Sequence, residues 1–383
     1  MRTSASRSIH RALVAGMLAI TAPGLATPVH AQWDEHRSTH DDGNRRFELS
    51  MRGKVWFTDD DRDIQRLEPG GRLMIEERLR YGSERMIIIT AAPNGDLQRT
   101  YIMDGQTRAF DATAQAWLSA LLPEIIRETG VGAAERVKRI YSKRGAAGVL
   151  DEIELIKSSS NRRLYLTTLM NEARLNASEA TRALRAAGRI SSSSEKAGVL
   201  IAAADRLPMS EAPVRQAYVE AARSISSSSE LRRALSRLLE DESLQEVVLR
   251  DAITVAGDIA SSSERASVLV LAAQRHKFSN EGLRTAFFNA TEGISSSSEK
   301  RRVLVALLRA QGGDKEVVRG VVRSARTISS DSEKAAVLME VPSLQLKDTT
   351  TAQVYLDTAD TIRSRTSRQQ VTSRIGEPTW YLD

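Results

Sequence analysis

The densest cluster of chemistry-bearing side chains is Asp59-Asp60-Asp61-Arg62-Asp63. Carboxylates so close together suit a hard cation held by oxygen ligands. A calcium loop opening at Asp59 would need glycine at its sixth place and glutamate at its twelfth, and Ile64 and Gly70 stand there. The run reads better as a solvated turn between strands, with a looser cation site as the lesser reading. Imidazoles are scarce. Of the five histidines, two fall before residue 32, His36 and His40 stand near Trp33 in a polar stretch, and His276 is alone further on. His36 and His40 are too few to build a metal site, and no His-Glu-x-x-His occurs to hold zinc. A hydrolytic triad would have to draw its base from His36, His40 or His276, and no Gly-x-Ser-x-Gly elbow or glycine-rich phosphate loop accompanies them. The chain has no cysteine, so disulfides and thiolate metal sites are unavailable. These observations point away from an enzyme and from any cofactor or metal.

Two other groups recur with a fixed step. Serine clusters return along the second half of the chain, and the basic pairs Arg162-Arg163, Arg232-Arg233 and Arg301-Arg302 follow some of them. Serines at stacked helix starts would line up hydroxyls and positive dipole ends, a ridge able to hold an anion or a glycan. The arginines would form a stripe for an acidic partner, or simply a solvated face. Acids interleave with them and aromatics are few, so nucleic acid is not expected as a partner.

The element that positions these groups is a repeat. Ile190-Ser191-Ser192-Ser193-Ser194-Glu195-Lys196 returns at Ile225, Ile259, Ile294 and Ile328, with steps of 35, 34, 35 and 34 residues. Worn copies begin at Ile156 and Ile362. A period in this range marks stacked supersecondary units. Each full copy carries Ser-x-x-Glu, as Ser192/Glu195, Ser227/Glu230, Ser261/Glu264, Ser296/Glu299 and Ser330/Glu333. That spacing predicts a capping box, with the serine oxygen accepting from the third backbone N–H and the glutamate reaching back to the serine N–H. The end copies have Asn161 and Ser367 in place of glutamate, which predicts less firmly started helices there. Leucine follows five residues past the box, at Leu200, Leu235, Leu269, Leu304 and Leu338, and as Leu166 in the first worn copy. A small residue precedes each isoleucine from Ile190 on by three: Ala187, Ala222, Ala256, Thr291, Ala325 and Ala359. Each unit therefore reads as two helices, such as Ser194–Leu207 and Glu211–Ser224 around Pro208-Met209-Ser210. Neither can bury its apolar face alone, so neighbours must stack. The expected object is a right-handed α-solenoid of ~34-residue helix pairs, like the tetratricopeptide and HEAT repeats in architecture only.

The remaining chain divides by composition. Residues 1–31 read as a secretory signal peptide: Arg2, Arg7 and Arg11 at the start, an apolar run at 12–20, and a small-x-small cleavage site ending at Ala31. Cleavage there removes three arginines and no acid, taking the formal net charge from +6 to +3. The expected location is the bacterial periplasm or the exterior, with no membrane-spanning segment. Residues 32–46 read as a flexible arm. Residues 47–111 carry strand-like alternation and the turns Pro93-Asn94-Gly95-Asp96 and Asp104-Gly105, which predict a small antiparallel domain of four or five strands. Residues 112–155 switch to helical spacing and read as a cap on the solenoid. Pro123 would kink or split the first helix, and Gly145-Ala146-Ala147-Gly148 would break the next. The solenoid covers 156–375 in about seven repeats, and 376–383 is a tail. The fold class is thus α+β, mostly α.

The strings ISSSSEKAGVL, ISSSSEKRRVL and ISSDSEKAAVL resemble the Ile-Ser-Ser-(Asp/Ser)-x-Glu-Lys repeats of certain bacterial extracytoplasmic proteins. Such repeats also occur C-terminal to membrane metallopeptidases of the beta-lactamase-sensor type, and Arg52–Glu77 is similar to the β-domain that precedes them in some of these proteins. No peptidase helices are present in this sequence. The resemblance implies an extracytoplasmic docking or sensing module and no activity. A non-enzymatic scaffold whose solenoid docks a protein or peptide is the leading functional expectation. A ligand- or glycan-binding sensor is the alternative.

Overall fold

The computed structural model describes residues 35–41 and 43–375. Residues 1–31, expected to be a signal peptide, and the 376–383 tail lie outside the described residues. The fold is α+β and mostly α: a small antiparallel β-domain followed by packed helices.

Eight strands form the β-domain, more than the spacing of turns suggested. They are β1 (Glu35–Asp41), β2 (Arg45–Arg52), β3 (Val55–Phe57), β4 (Ile64–Leu67), β5 (Arg72–Leu79), β6 (Glu84–Ala91), β7 (Leu97–Met103) and β8 (Gln106–Arg108). Six pair in the order β1-β2-β5-β6-β7-β8, and β3 pairs with β4. The expected flexible arm is therefore incorrect for 35–41 and 45–46. Residues 35–41 pair along their whole length with 46–52, and β2 begins at Arg45. Polar composition hid β1 because it is an edge strand, whose exposed side chains need not be apolar. Register aligns Leu49 with Ile75, Ile75 with Ile87, and Ile87 with Tyr101, so the buried positions share one face. The two anticipated turns are present. Gly95 supplies a left-handed φ of 91° between β6 and β7, and Asp104 and Gly105 supply φ of 51° and 76° between β7 and β8.

Helix α1 (Ala112–Thr129) lies over that buried face with Trp117, Leu118, Leu121, Leu122, Ile125 and Ile126. It belongs to the β-domain's core, which corrects its reading as solenoid cap. It is not split at Pro123. α2 (Ala133–Leu155) does belong to the solenoid's core and bends at Gly145, where φ 63° and ψ −169° interrupt the helix inside the anticipated break.

Thirteen further helices follow, each ending where the serine turn or a short loop takes over. They are α3 (Ser159–Glu172), α4 (Ala177–Gly188), α5 (Ser193–Arg206), α6 (Ala212–Arg223), α7 (Ser228–Leu239), α8 (Glu246–Ala256), α9 (Ser262–Arg275), α10 (Glu281–Glu292), α11 (Ser297–Gln311), α12 (Lys315–Ala325), α13 (Asp331–Met339), α14 (Thr349–Ala359) and α15 (Arg365–Thr372). Odd helices pack on odd helices and even on even, giving two layers with one continuous core between them. Among the described residues this makes six helix pairs and one further helix. Ile156, Ile190, Ile225, Ile259, Ile294, Ile328 and Ile362 are all buried, as are Leu166, Leu200, Leu235, Leu269, Leu304 and Leu338. The small residues before each isoleucine are fully buried too. They sit where even helices approach closely; a Cβ on Gly188 would lie 3.8 Å from Ala221, and one on Gly257 3.6 Å from Ala290.

Candidate functional site

The serine turns form one edge of the odd layer, and each serine has a separate task. Ser158, Ser192, Ser227, Ser261, Ser296, Ser330 and Ser364 are the N-caps, each accepting at 3.4 Å from the backbone N–H three residues on. The two worn copies cap as well as the full ones, against expectation, because the serine supplies this bond without glutamate. The serine one place after the cap reaches the next repeat. Ser159 meets Ser191 at 2.9 Å, Ser193 meets Ser226 at 3.1 Å, Ser262 meets Ser295 at 3.0 Å, and Ser297 meets Ser329 at 2.9 Å. Ser228 and Ser297 also accept the backbone N–H of the next cap at 3.3 Å. Asp331 does the same work for Arg363 and Ser364. The serine two places after the cap bonds back to the cap hydroxyl, as Ser194 does to Ser192 at 3.0 Å. The row is a lateral hydrogen-bond ladder. Its hydroxyls bond each other, which weakens the anion or glycan ridge.

The reciprocal arm of the capping box is not formed by Glu195, Glu230, Glu264, Glu299 or Glu333, and this corrects the sequence reading. All five turn to arginine instead. Glu195 pairs with Arg163, Glu264 with Arg232 and Glu333 with Arg301, each across the repeat boundary. Glu230 pairs with Arg233 at 2.6 Å and Glu299 with Arg302 at 2.7 Å within one helix. A guanidinium offers a stronger, charge-assisted bond than a backbone N–H, and the cap N–H is already served by the neighbouring serine in the turns of Ser192, Ser261 and Ser330. A closed box does occur at Asn176/Glu179, both bonds 3.0 Å, at the start of α4.

The arginines therefore alternate. Arg163, Arg232 and Arg301 stand 69 residues apart, and Ala197, Ala266 and Ala335 fill the same place in the intervening repeats. Small residues one place on make room for the long side chain: a Cβ on Gly198 would come within 2.9 Å of Arg163. The signal was a two-repeat period in residue size, which a search for identical residues passes over. The position after four of the five boxes holds a second set of cations, Lys196, Arg265, Lys300 and Lys334, with Leu231 in the fifth. Lys196 donates to Ser224 O and Oγ at 3.0 and 2.7 Å, and Lys334 to Thr361 Oγ1 at 2.8 Å, at the ends of even helices. A cation there suits the negative helix end. Burial pulls the pKa of Lys196, Lys300 and Lys334 down.

The aspartate run lies between β3 and β4, yet it is not a solvated turn throughout. Asp61 is buried with φ 60° and takes Arg136 Nε at 2.6 Å and also Arg139. Asp59 pairs with Lys143 at 2.6 Å and Asp63 with Arg99 at 2.9 Å. Arg136, itself buried, continues to Glu152 at 2.8 Å and Tyr165 Oη at 3.0 Å, and Glu152 takes Arg127 at 2.5 Å. This network clasps the β-domain to the solenoid. Burial alone would raise the Glu152 pKa, but Arg127 and Arg136 outweigh it and hold it below the usual range. Asn161, the residue that replaces the first box glutamate, donates to Arg127 O and Glu128 O at 2.9 and 2.8 Å and closes the end of α1. Its departure from the repeat is a junction device.

His276 is buried against Leu239 O at 2.8 Å and fixes the end of α9 to α7. His40 is also within the described fold, stacked on Phe47 at 5.0 Å and 3.7 Å from Glu128. Among the described residues no three or more His, Cys, Asp or Glu are placed to hold a metal ion, and no helix is long and apolar enough to cross a membrane.

Open space lies in grooves between neighbouring helices of each layer. In the odd layer, a groove of ≈ 650 Å³ between α9 and α11 has Val270, Val305 and Ala306 in its lining and is flanked by Arg301, Arg302 and Arg309. In the even layer, a groove of ≈ 580 Å³ between α10 and α12 is lined by Phe288, Asn289 and Gly320 among charged residues. No protein-family model, curated protein or solved structure matches the chain.

Proposed function

We propose that this protein is a non-enzymatic interaction scaffold of the bacterial cell envelope, whose solenoid docks a protein or peptide partner. The observation that carries the reading is where the polar chemistry goes. The serines, box glutamates and their arginines bond across and within repeats and hold neighbouring helices of the odd layer in register. What stays open is a pair of long faces with inter-helix grooves, the form of surface that solenoids use for binding. The sensor alternative has less support, because the serine hydroxyls already bond each other.

The test is recovery of a tagged chain from envelope extract, followed by chemical crosslinking and peptide mapping. A partner in near-equal amount, crosslinked along one layer over three or more consecutive repeats, is the expected result. Crosslinks confined to the β-domain, or no partner in comparable amount, would overturn the scaffold.

A further inference from the structure

We infer that the docking face is the odd layer, α3 through α15, and that its partner is an acidic peptide segment with apolar anchors. This rests on the scaffold reading above and assigns its surface and partner chemistry.

Charge divides unequally between the layers. The seven odd helices α3, α5, α7, α9, α11, α13 and α15 carry sixteen Lys and Arg against eight Asp and Glu; Lys196, Lys300 and Lys334 are buried at the ends of even helices, so thirteen cations against eight acids remain for the odd face, a net of +5. The six even helices α4 to α14 carry nine against eight, a net of +1. Both layers belong to one stack, so overall composition does not produce the difference.

Pairing does not hide the arginines that meet the box glutamates. In the five box pairs the arginine side chains are 36–49% exposed and the glutamates 20–29%. Guanidinium lies outermost and carboxylate beneath it. In Arg163, Arg232 and Arg301 it is Nε that meets the carboxylate, and the terminal amino groups make no hydrogen bond among the described residues. A guanidinium has five N–H donors and takes a carboxylate bidentately, so these side chains have donors to spare for a second one.

The groove between α9 and α11 supplies the apolar part. Val270, Val305 and Ala306 line it, Arg301, Arg302 and Arg309 flank it, and its one carboxylate, Glu299, is paired with Arg302. A segment with leucine-like anchors and flanking acids would match both features. Steering by the positive odd layer would make association fast and sensitive to salt.

The test measures binding of a fluorescein-labelled peptide, two leucines flanked by glutamates, to the whole mature chain. Its lysine-for-glutamate counterpart and an oligothymidylate are run beside it. The acidic peptide is expected to bind at least tenfold tighter than either, and to weaken as salt rises. The double variant Arg232→Gln/Arg301→Gln should weaken it about tenfold, ~1.4 kcal/mol. Glu264→Gln/Glu333→Gln should tighten it, since the underlying carboxylates are neutralised. Arg323→Gln, on α12, should leave it unchanged. These pairs are partly exposed, so the variants should fold, and unchanged circular dichroism checks this. Equal binding of the lysine peptide, tighter binding of the oligonucleotide, absence of binding, or equal loss in Arg323→Gln would each overturn the inference. A natural partner crosslinked to the even layer would overturn it while leaving the scaffold standing.

Discussion

At Ser261, one hydroxyl and one carboxylate three residues later make different contributions, and the difference is measurable. The serine closes an orphan N–H of α9, so Ser261→Ala should lower stability by about 1 kcal/mol in urea unfolding. Glu264 closes no box and pairs at a partly exposed position. Glu264→Gln should therefore cost less than ~0.5 kcal/mol by the same assay. An equal loss in both variants would restore the capping-box reading. The buried network is a harsher case. Arg136→Met removes the buried cation that Asp61 and Glu152 share, leaving them only the more exposed Arg139 and Arg127, and should cost about 3 kcal/mol. Glu152 also gives a pH signature. Its folded pKa lies below the unfolded value, so its contribution is present above the unfolded pKa and is lost as pH falls through the folded one. Urea midpoints measured from neutral towards pH ~3 should fall less steeply in Glu152→Gln than in the parent chain. Equal slopes would remove Glu152 as a contributor.

At the scale of elements, what was legible was whatever repeats in identity. Ile190 and its copies, the leucines from Leu166 to Leu338 and the small residues from Ala187 to Ala359 mark buried positions because packing demands a fixed volume at a fixed step. The cap serines were legible for a similar reason, since few side chains can serve an N-cap. The glutamates were half legible. Their spacing fits a box, but spacing cannot show that an arginine 32 residues away competes for the same carboxylate. β1 was missed because edge strands carry no apolar alternation, and α1 was placed with the wrong domain because helical periodicity does not say which core a helix faces. Asn161 looked like decay of the motif and is the junction cap of α1. Asn161→Ala should lower the melting temperature by several degrees, more than Ser160→Ala in the same helix. Equal melting of the two would show that Arg127 O and Glu128 O do not depend on it.

For the whole molecule, two apolar cores meet at a charged clasp, and the longer one is a stack in which each repeat answers its neighbours. The clasp gives the solenoid a fixed N-terminal end, which an open stack of amphipathic helices needs. The two layers then differ in what they offer. The even layer is nearly neutral, whereas the odd layer carries the surplus of arginine beside an apolar groove. The most direct measurement is photo-crosslinking in intact cells, with a photoreactive residue at Ala306 in the odd-layer groove or at Asn289 in the even-layer groove. A discrete adduct with one envelope partner is expected at position 306 and none at 289. Adducts at neither position, while the same residue placed in the β-domain gives one, would contradict the solenoid as the docking surface.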